Sequence, residues 1–139
     1  MADKGHKCDM FFLGQKTSIS KLVTSNDILT MARVSGDMNP IHTDESYAAK
    51  HFFGRRIAHG LFCLGMVSNI LGTKLPGEGT ILVSETVNYK MPVYVDDTIT
   101  TTVTILEILY EKDKITFAFK CINQNGGIVT DGTAITKCI

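Results

Sequence analysis

One segment, Leu61–Gly72 (LFCLGMVSNILG), constrains the fold more than any other part of the sequence. It is long enough for about three turns of helix. It is apolar on almost every side, and Ser68 and Asn69 are its only strongly polar members. A helix of this kind must be buried over most of its surface. The rest of the chain therefore has to supply a structure that packs around it.

The sequence after Gly79 takes on the pattern of β-strands. Four segments rich in Thr, Val and Ile suit a pleated surface, and they cover residues 80–90, 97–111, 114–124 and 127–139. Asn125-Gly126 predicts a type I′ hairpin turn between the last two, and Glu111–Lys114 predicts another tight turn. An earlier alternating segment, Lys16–Val23, predicts a first strand. We therefore predict an α+β fold, in which a strongly bent antiparallel sheet wraps around one central helix.

Two further helices are predicted in the first half. The segment TSNDILTMARVSG has Thr24 or Ser25 as its N-cap and Asp27 in its first turn, where the helix dipole favours an anion. Gly36 can adopt the positive φ that ends such a helix. A short helix is expected over Thr43–Lys50, with Thr43 as the cap.

Composition excludes several classes of protein. The chain of 139 residues predicts a single domain over residues 1–139, and it carries 14 basic and 14 acidic residues. With zero net charge and no basic run, nucleic acid and anionic membrane surfaces are not expected partners. The four cysteines form no C-x-x-C pair, and no apolar leader or membrane span is present, so we predict reduced thiols and a cytoplasmic location.

The stretch VSGDMNPIHTDESYA combines a carboxylate, Asp37, with an imidazole, His42, in one short loop. These are the two commonest proton-transfer groups near neutral pH. Asn39 and Pro40 between them restrict the backbone and would stiffen the loop. The alternative is a simple turn, because Asp and Asn are also ordinary turn residues. Spacing alone leaves both interpretations open.

The residues GDMNPIHTDESYA, followed by RRIAHGLFCLGMVS and VNYKMPVYVDDTIT, resemble the (R)-specific enoyl-CoA hydratase motif of the MaoC-like dehydratases. The resemblance covers nearly the whole chain from about Asp9. It implies the hot-dog fold and the reversible addition of water to a trans-2-enoyl thioester, which gives an (R)-3-hydroxyacyl thioester. The thioester partner would be acyl-CoA or acyl carrier protein. No cofactor and no metal are expected.

The resemblance also implies roles for individual residues. Asp37 would activate the water, and His42 would be its partner that delivers a proton to C2, although the two roles could be exchanged. Asn39 would orient the pair or the water. The N–H of Gly60 would stabilise the thioester oxyanion, unless Gly60 is only an N-cap glycine. Ser68 would approach the active site, unless it bonds to its own helix.

Other candidates are less certain in role. Arg55 and Arg56 are candidates for binding the coenzyme A phosphates, although two exposed arginines are more often simply solvated. His59 and Cys63 are spaced to share a metal, but no further ligand matches, so a structural or rim role is expected. A homodimer, or a dimer of dimers, is implied by the resemblance. The rival functions are a hot-dog thioesterase and a non-catalytic acyl-thioester-binding module.

Overall fold

A computed structural model describes residues 7–139. Five strands form one antiparallel sheet in the order β1-β3-β4-β5-β2, and they are β1 (Lys16–Leu22), β2 (Ile81–Tyr89), β3 (Thr98–Leu109), β4 (Lys114–Ile122) and β5 (Ile128–Lys137). The α-helices are α1 (Ser25–Ser35), α2 (Pro40–Thr43), α3 (Glu45–Ala49) and α4 (Gly60–Thr73). The α+β prediction is confirmed, and the predicted strands and long helices are all present within a residue or two of their expected ends.

Helix α4 is the centre of the molecule. It contacts β1 and β2, the two edge strands, as well as β3 in the middle of the sheet. A flat sheet could not touch one helix from both edges, so the sheet curves around it. The buried side chains of α4 belong to a single hydrophobic core with inward-facing residues of the strands, and on the helix they are Phe62, Cys63, Met66, Val67, Ile70 and Leu71.

Helix α1 precedes the loop that contains Asp37. Thr24 and Asp27 form a reciprocal capping box, in which each side chain accepts the other's backbone N–H. The N–H of Thr24 also holds the pKa of the Asp27 carboxyl below its usual value. Gly36 ends the helix at a φ of +80°, a conformation that costs glycine little. The prediction for this helix is confirmed, with Thr24 rather than Ser25 as the cap.

The short helix after the loop differs from the prediction. Thr43 is not its cap but the last residue of α2. Asp44 caps α3 by accepting the N–H of Tyr47. The separate α2 arises because Asn39 accepts the N–H of Ile41 and a proline occupies the first helical position, where its fixed φ is already helical. The prediction had treated these residues as loop.

The hairpin between β4 and β5 is confirmed, but its predicted turn type is wrong. A type I′ turn needs positive φ at both central residues, and here Gly126 has φ +80° whereas Asn125 is not among the described residues with positive φ. The side chain of Asn123 instead accepts the N–H groups of Asn125 and Gly127. This local hydrogen bonding favours a longer loop over the two-residue turn. The turn before β4 is present, with Asp113 closing it at φ +53°.

All four cysteines are free thiols. Cys8 and Cys138 lie with their sulfur atoms 3.4 Å apart, and burial raises the pKa of Cys8 to about 12. Cys63 and Cys121 lie inside the core, where hydrogen bonding to Cys63 and burial raise the pKa of Cys121. None of the helices in residues 7–139 combines the length and the hydropathy that crossing a membrane requires.

Candidate active site

The loop between α1 and α2 fixes the carboxylate of Asp37. The N–H of Asp37 donates to the hydroxyl of Ser35, and the N–H of Asn39 donates to Oδ1 of Asp37, each at 3.1 Å. Oδ2 is left facing the neighbouring histidines. Asn39 therefore orients Asp37 through its backbone, while its side chain caps α2. Asn39 was expected to orient the pair or the water, and the group of Asn39 that contacts Asp37 is its backbone N–H, not its side chain.

His42 lies on α2 and is buried, with its Nδ1 atom 2.7 Å from the carbonyl oxygen of Ile57. A carbonyl oxygen can only accept, so Nδ1 carries a proton, and in the neutral imidazole Nε2 then presents a lone pair. That Nε2 lies 3.8 Å from Oδ2 of Asp37. The distance is too long for a direct hydrogen bond, but it leaves room for one water or substrate oxygen to contact both atoms. The predicted pairing of Asp37 with His42 is thus present.

A second histidine belongs to the same cluster. The ring of His59 stacks on that of His42 with centroids 3.8 Å apart. Its Nε2 lies 2.9 Å from the backbone oxygen of Asp37 and 3.9 Å from Oδ2 of the same residue. From the sequence, His59 was expected to have a structural or rim role. The HG pair of the second motif was the signal that could have placed it here.

The cluster has the composition of a metal site, because Asp37, His42 and His59 offer ligand atoms within 4.8 Å of one another. His59 donates its Nε2 proton to the backbone of Asp37, so that nitrogen has no lone pair for a metal. Two ligand atoms are then left, which is fewer than the three that a catalytic zinc site takes from the protein. The donor set therefore favours a water between Asp37 and His42 over a metal.

The cluster lies at one side of a cavity of about 510 Å³. The rest of the lining, which we call the apolar wall, is mainly apolar and comes from the segment before α4, the start of α4, the end of β2 and the segment after it. It includes Phe53, Leu61, Tyr89, Met91 and Pro92, with Lys90 and Thr130 as polar members. The cavity therefore combines a small polar group with a larger apolar surface, as small-molecule sites usually do. Its shape suits a ligand with a polar reacting end and a hydrocarbon part.

Gly60 is the first residue of α4 and lines this cavity. A Cβ added there would lie 2.7 Å from Cε1 of Tyr89, so a side chain at this position would collide with the ring of Tyr89. The first N–H groups of a helix have no partner within the helix, and the side chain of His59, the N-cap residue, makes no capping hydrogen bond. The N-terminus of α4 thus offers donors and a positive dipole end beside the acid–imidazole pair.

Ser68 lies elsewhere. It is exposed and is not among the residues that line the cavity. Eight residues separate it from Gly60, which is about 12 Å along the helix axis. Within one chain, therefore, the structure does not bring Ser68 to the active site as predicted.

The two adjacent arginines, Arg55 and Arg56, differ in exposure and in contacts. Arg55 is exposed and lies over the ring of Tyr94 at 4.2 Å. Arg56 is only 7% exposed. Its guanidinium donates to the carboxylate of Glu45 at 3.1 Å, to the backbone oxygen of His42 at 3.2 Å and to the hydroxyl of Ser25. The expectation of an exposed, phosphate-binding Arg56 is wrong, because its donors hold α1, α2 and α3 together.

Comparisons with known proteins identify the family and the fold of this chain. The family model described as MaoC like domain matches residues 14–121. An (R)-specific enoyl-CoA hydratase of Rhodospirillum rubrum is 41% identical over 121 residues, covering 87% of this chain and 83% of the relative. A 3-hydroxybutyryl-CoA dehydratase of Methylorubrum extorquens is 38% identical, covering 90% of this chain and 79% of the relative.

A solved structure shows the same fold. The (R)-hydratase from A. caviae involved in PHA biosynthesis superposes with a TM-score of 0.91 at 31% identity, covering 94% of this chain and 99% of that one. The predicted hot-dog fold, a bent antiparallel sheet around α4, is confirmed. The chain belongs to the MaoC-like dehydratase family, and the family resemblance seen in its sequence is confirmed with it.

Proposed function

We propose that this protein is an (R)-specific enoyl-CoA hydratase, which adds water reversibly to a trans-2-enoyl thioester. The observation that carries the proposal is the pair of proton acceptors, Oδ2 of Asp37 and Nε2 of His42, 3.8 Å apart in the cavity at the start of α4. The similarity to an (R)-specific enoyl-CoA hydratase and a 3-hydroxybutyryl-CoA dehydratase supports it. We treat residues 1–139 as one catalytic domain.

The tautomer of His42 suggests how the water is held. Nε2 of His42 and Oδ2 of Asp37 both accept hydrogen bonds, and a water molecule has two hydrogens to give. A water that donates to both directs its oxygen lone pairs away from the pair and towards C3 of a bound substrate. One group removes a proton as the oxygen bonds to C3. In the resting tautomer Nε2 of His42 has no proton to give, so the proton that reaches C2 is one that the water has given to the pair.

The thioester carbonyl would lie at the N-terminus of α4. As the water attacks C3, negative charge moves onto the thioester oxygen. Preorganised donors at such an oxygen are typically worth about 3–4 kcal/mol each in the transition state. The N–H of Gly60 is the proposed donor, and the support is that Gly60 begins α4 and lines the cavity. Collapse of the enolate with protonation at C2 completes the addition of one water.

The rival functions are tested in the same assay. A hot-dog thioesterase usually relies on a carboxylate on or near the central helix, whereas α4 contains no Asp or Glu. A non-catalytic binder would not need both members of the pair. With crotonyl-CoA as substrate, we expect loss of the enone absorbance without release of free thiol, and an (R)-3-hydroxy product by chiral analysis. Thiol release would identify a thioesterase, no reaction a binder, and an (S) product would contradict the assignment.

We further propose that the active form is a homodimer or a dimer of dimers. Strand β2 is an edge strand of the sheet and exposes Ile81, Leu82 and Val83. On the same strand Glu85 is half-buried, its Oε2 has no hydrogen-bond partner within residues 7–139, and burial raises its pKa. An apolar edge and an unpaired buried oxygen are both liabilities that a second copy would remove. Light scattering should report at least a dimer, and a fully active monomer at micromolar concentration would contradict this.

The carrier of the acyl group is proposed to be coenzyme A, with acyl carrier protein as the alternative. Exposed Arg55 is the candidate for its phosphates. Comparing KM for a CoA thioester with KM for the corresponding acyl carrier protein thioester, in wild type and in Arg55→Ala, tests both points. An unchanged KM for both carriers would remove Arg55 from the binding site. A cytoplasmic location is also proposed, supported by the four free cysteines.

A further inference from the structure

We propose that His59 is a positioning residue that ties the acid–imidazole loop to the N-terminus of α4. The inference rests on the proposed function, because it concerns how the two halves of that active site are held at a fixed separation. The first half is Asp37 with His42, which handle the proton. The second half is the first turn of α4, which offers its N–H groups to the thioester oxygen.

The tie is a hydrogen bond between side chain and backbone. Nε2 of His59 lies 2.9 Å from the carbonyl oxygen of Asp37, so the nitrogen carries the proton and donates it. The residue after His59 is Gly60, the first residue of α4. One hydrogen bond therefore links the residue that bears the carboxylate to the residue next to the proposed oxyanion donor. The carboxylate needs such support, because the side chain of Asp37 is 49% exposed.

The position of His59 on the helix supports the same role. N-cap positions favour Ser, Thr, Asp and Asn, whose side chains accept the first free N–H groups and stabilise the helix. His59 is the N-cap of α4 and makes no capping hydrogen bond. The chain thus lacks a side-chain cap at the N-terminus of α4, where Gly60 lines the cavity. Two consequences follow: the first N–H groups remain available to a ligand, and the side chain is turned towards Asp37.

The other atoms of His59 exclude a direct part in proton transfer. Nδ1 is buried and has no hydrogen-bond partner among the described residues, so it is not accessible to a ligand in the cavity. Nε2 is already engaged with the backbone of Asp37. One face of the ring stacks on His42 at 3.8 Å, which restricts rotation of the His42 ring. His59 therefore acts through Asp37 and His42 and is not itself an acid or base.

Two substitutions with side chains of similar length test whether the hydrogen bond of His59 to Asp37, and not only the volume of the His59 side chain, is required. His59→Gln keeps an N–H donor that can reach the carbonyl of Asp37, whereas His59→Met fills similar space without a donor. A misplacement of about 1 Å can cost on the order of 100-fold in rate. We therefore expect the Met variant to lose roughly 10–100-fold in kcat, with KM within about twofold and a Tm close to that of the Gln variant. The Gln variant should recover to within about fivefold of wild type.

A double-mutant cycle tests whether the effect passes through Asp37. In the Asp37→Asn background, the difference in kcat between Gln and Met at position 59 should disappear, because the group being positioned is no longer a proton acceptor. A Met variant as active as the Gln variant would overturn the proposal. So would a Gln–Met difference that persists in full in the Asp37→Asn background, since His59 would then act independently of Asp37.

A readout that does not depend on activity separates this inference from the proposed function. The carbonyl ¹³C chemical shift of Asp37 reports on the hydrogen bond that its oxygen accepts. It should be similar in wild type and His59→Gln and should move in His59→Met. If the wild type fails to hydrate crotonyl-CoA, the proposed function falls, but the shift still tests the tie. If the Asp37 shift is the same in all three proteins, the tie is absent whatever the activity.

Discussion

The two walls of the cavity are built in opposite ways. On the polar wall, His42 and His59 are 8% and 4% exposed, and both rings are fixed by hydrogen bonds to backbone carbonyls. On the apolar wall, Leu61, Tyr89 and Met91 are 48%, 57% and 48% exposed. The polar wall is completed by the chain itself, through the hydrogen bonds of His42 and His59 to backbone carbonyls and through Arg56. The apolar wall is open in one copy of the chain.

This difference suggests that the polar wall carries out proton transfer and that the apolar wall binds the acyl chain. Proton transfer requires distances held to fractions of an ångström, and the polar wall has the buried hydrogen bonds that provide this. An acyl chain requires only apolar area, and the apolar wall presents it beside exposed β2, where a second copy is proposed to pack. Substitutions on the polar wall should therefore change kcat, and substitutions on the apolar wall should change KM.

The largest effect is expected for the acid–imidazole pair. Asp37→Asn keeps the shape but removes a proton acceptor, and His42→Ala removes its partner. General acid–base groups typically contribute about 10²–10⁴-fold, so each variant should lose at least about 100-fold in kcat with little change in KM. The double variant should fall little further, because both groups act on one water. Rates of crotonyl-CoA hydration measure this.

The opposite pattern would support the alternative of a simple turn. If Asp37 and His42 served only the local fold, their loss would lower Tm while the folded protein stayed active. An Asp37→Asn protein with kcat near wild type would therefore defeat the mechanism. Thermal melts of the same samples provide the control.

The second prediction concerns Gly60, where the two walls meet. In Gly60→Ala the new Cβ has to displace the ring of Tyr89, which a Cβ would approach to 2.7 Å. It would also occupy space beside the helix N–H groups. Because an oxyanion donor is worth roughly 100-fold or more in kcat, partial loss of access to it should reduce kcat/KM by about tenfold. Tyr89 is exposed and can move, so Tm should change little.

Gly72→Ala on the same helix is the matched control. A Cβ at Gly72 meets no other atom within 4 Å, and replacing a helical glycine by alanine typically stabilises by about 1 kcal/mol. This variant should keep wild-type kinetics. Equal activity in Gly60→Ala and Gly72→Ala would show that Gly60 is merely a helix N-terminal glycine.

Much of this arrangement was predictable from the sequence, for identifiable reasons. The apolar segment Leu61–Gly72 dictated a central helix, and the Thr- and Val-rich segments dictated strands, because burial and periodicity are properties of long stretches. The pairing of Asp37 with His42 was predicted from the family resemblance, because spacing alone also allowed a simple turn. The local hydrogen bonds of side chains to nearby backbone groups could not be predicted from the sequence. The turn after β4 and the cap of α3 were therefore assigned incorrectly.

Long-range contacts were the part that sequence could not supply. Asp37 and His59 are 22 residues apart, and only the folded chain shows that the His59 side chain turns towards the loop. Arg55 and Arg56 looked equivalent in the sequence. Neighbouring residues in a loop can point in opposite directions, and only the folded chain shows that Arg56 is buried and Arg55 exposed. Ser68 was placed by the family resemblance and the helical period, and the period gives its direction but not its distance from the cavity.

The third prediction compares the two arginines behind the polar wall. Arg56→Leu removes the donors to Ser25, Glu45 and the carbonyl of His42, and the loss of buried partners typically costs about 1–3 kcal/mol each. Glu45 is mostly exposed and recovers water. We expect Tm to fall by roughly 5–10 °C in Arg56→Leu. Arg55→Leu, the control, should stay within about 2 °C of wild type, because surface changes are usually small. A reversed order would mean that Arg55 supports the fold.

The smallest effect is expected on the apolar wall. Leu61→Ala removes apolar surface from the cavity while keeping a good helix former at the second position of α4. If the acyl chain lies against this wall, KM should rise by roughly threefold to tenfold for hexenoyl-CoA, since each buried CH₂ is worth about 0.8 kcal/mol. Crotonyl-CoA, which is shorter, should be affected less. In both cases kcat should stay within about twofold of wild type, because the proton-transfer groups are not moved.

Val34→Ala is the control for this last comparison, since Val34 is an exposed residue of α1 that does not line the cavity. It should leave KM unchanged for both substrates. If Leu61→Ala lowered kcat and left KM unchanged, the apolar wall would be positioning the reacting atoms, and the separation of chemistry from recognition would fail. If neither parameter changed at either chain length, the acyl chain would have to leave the cavity by another side. The dependence of KM on chain length therefore tests the proposed division of roles between the two walls directly.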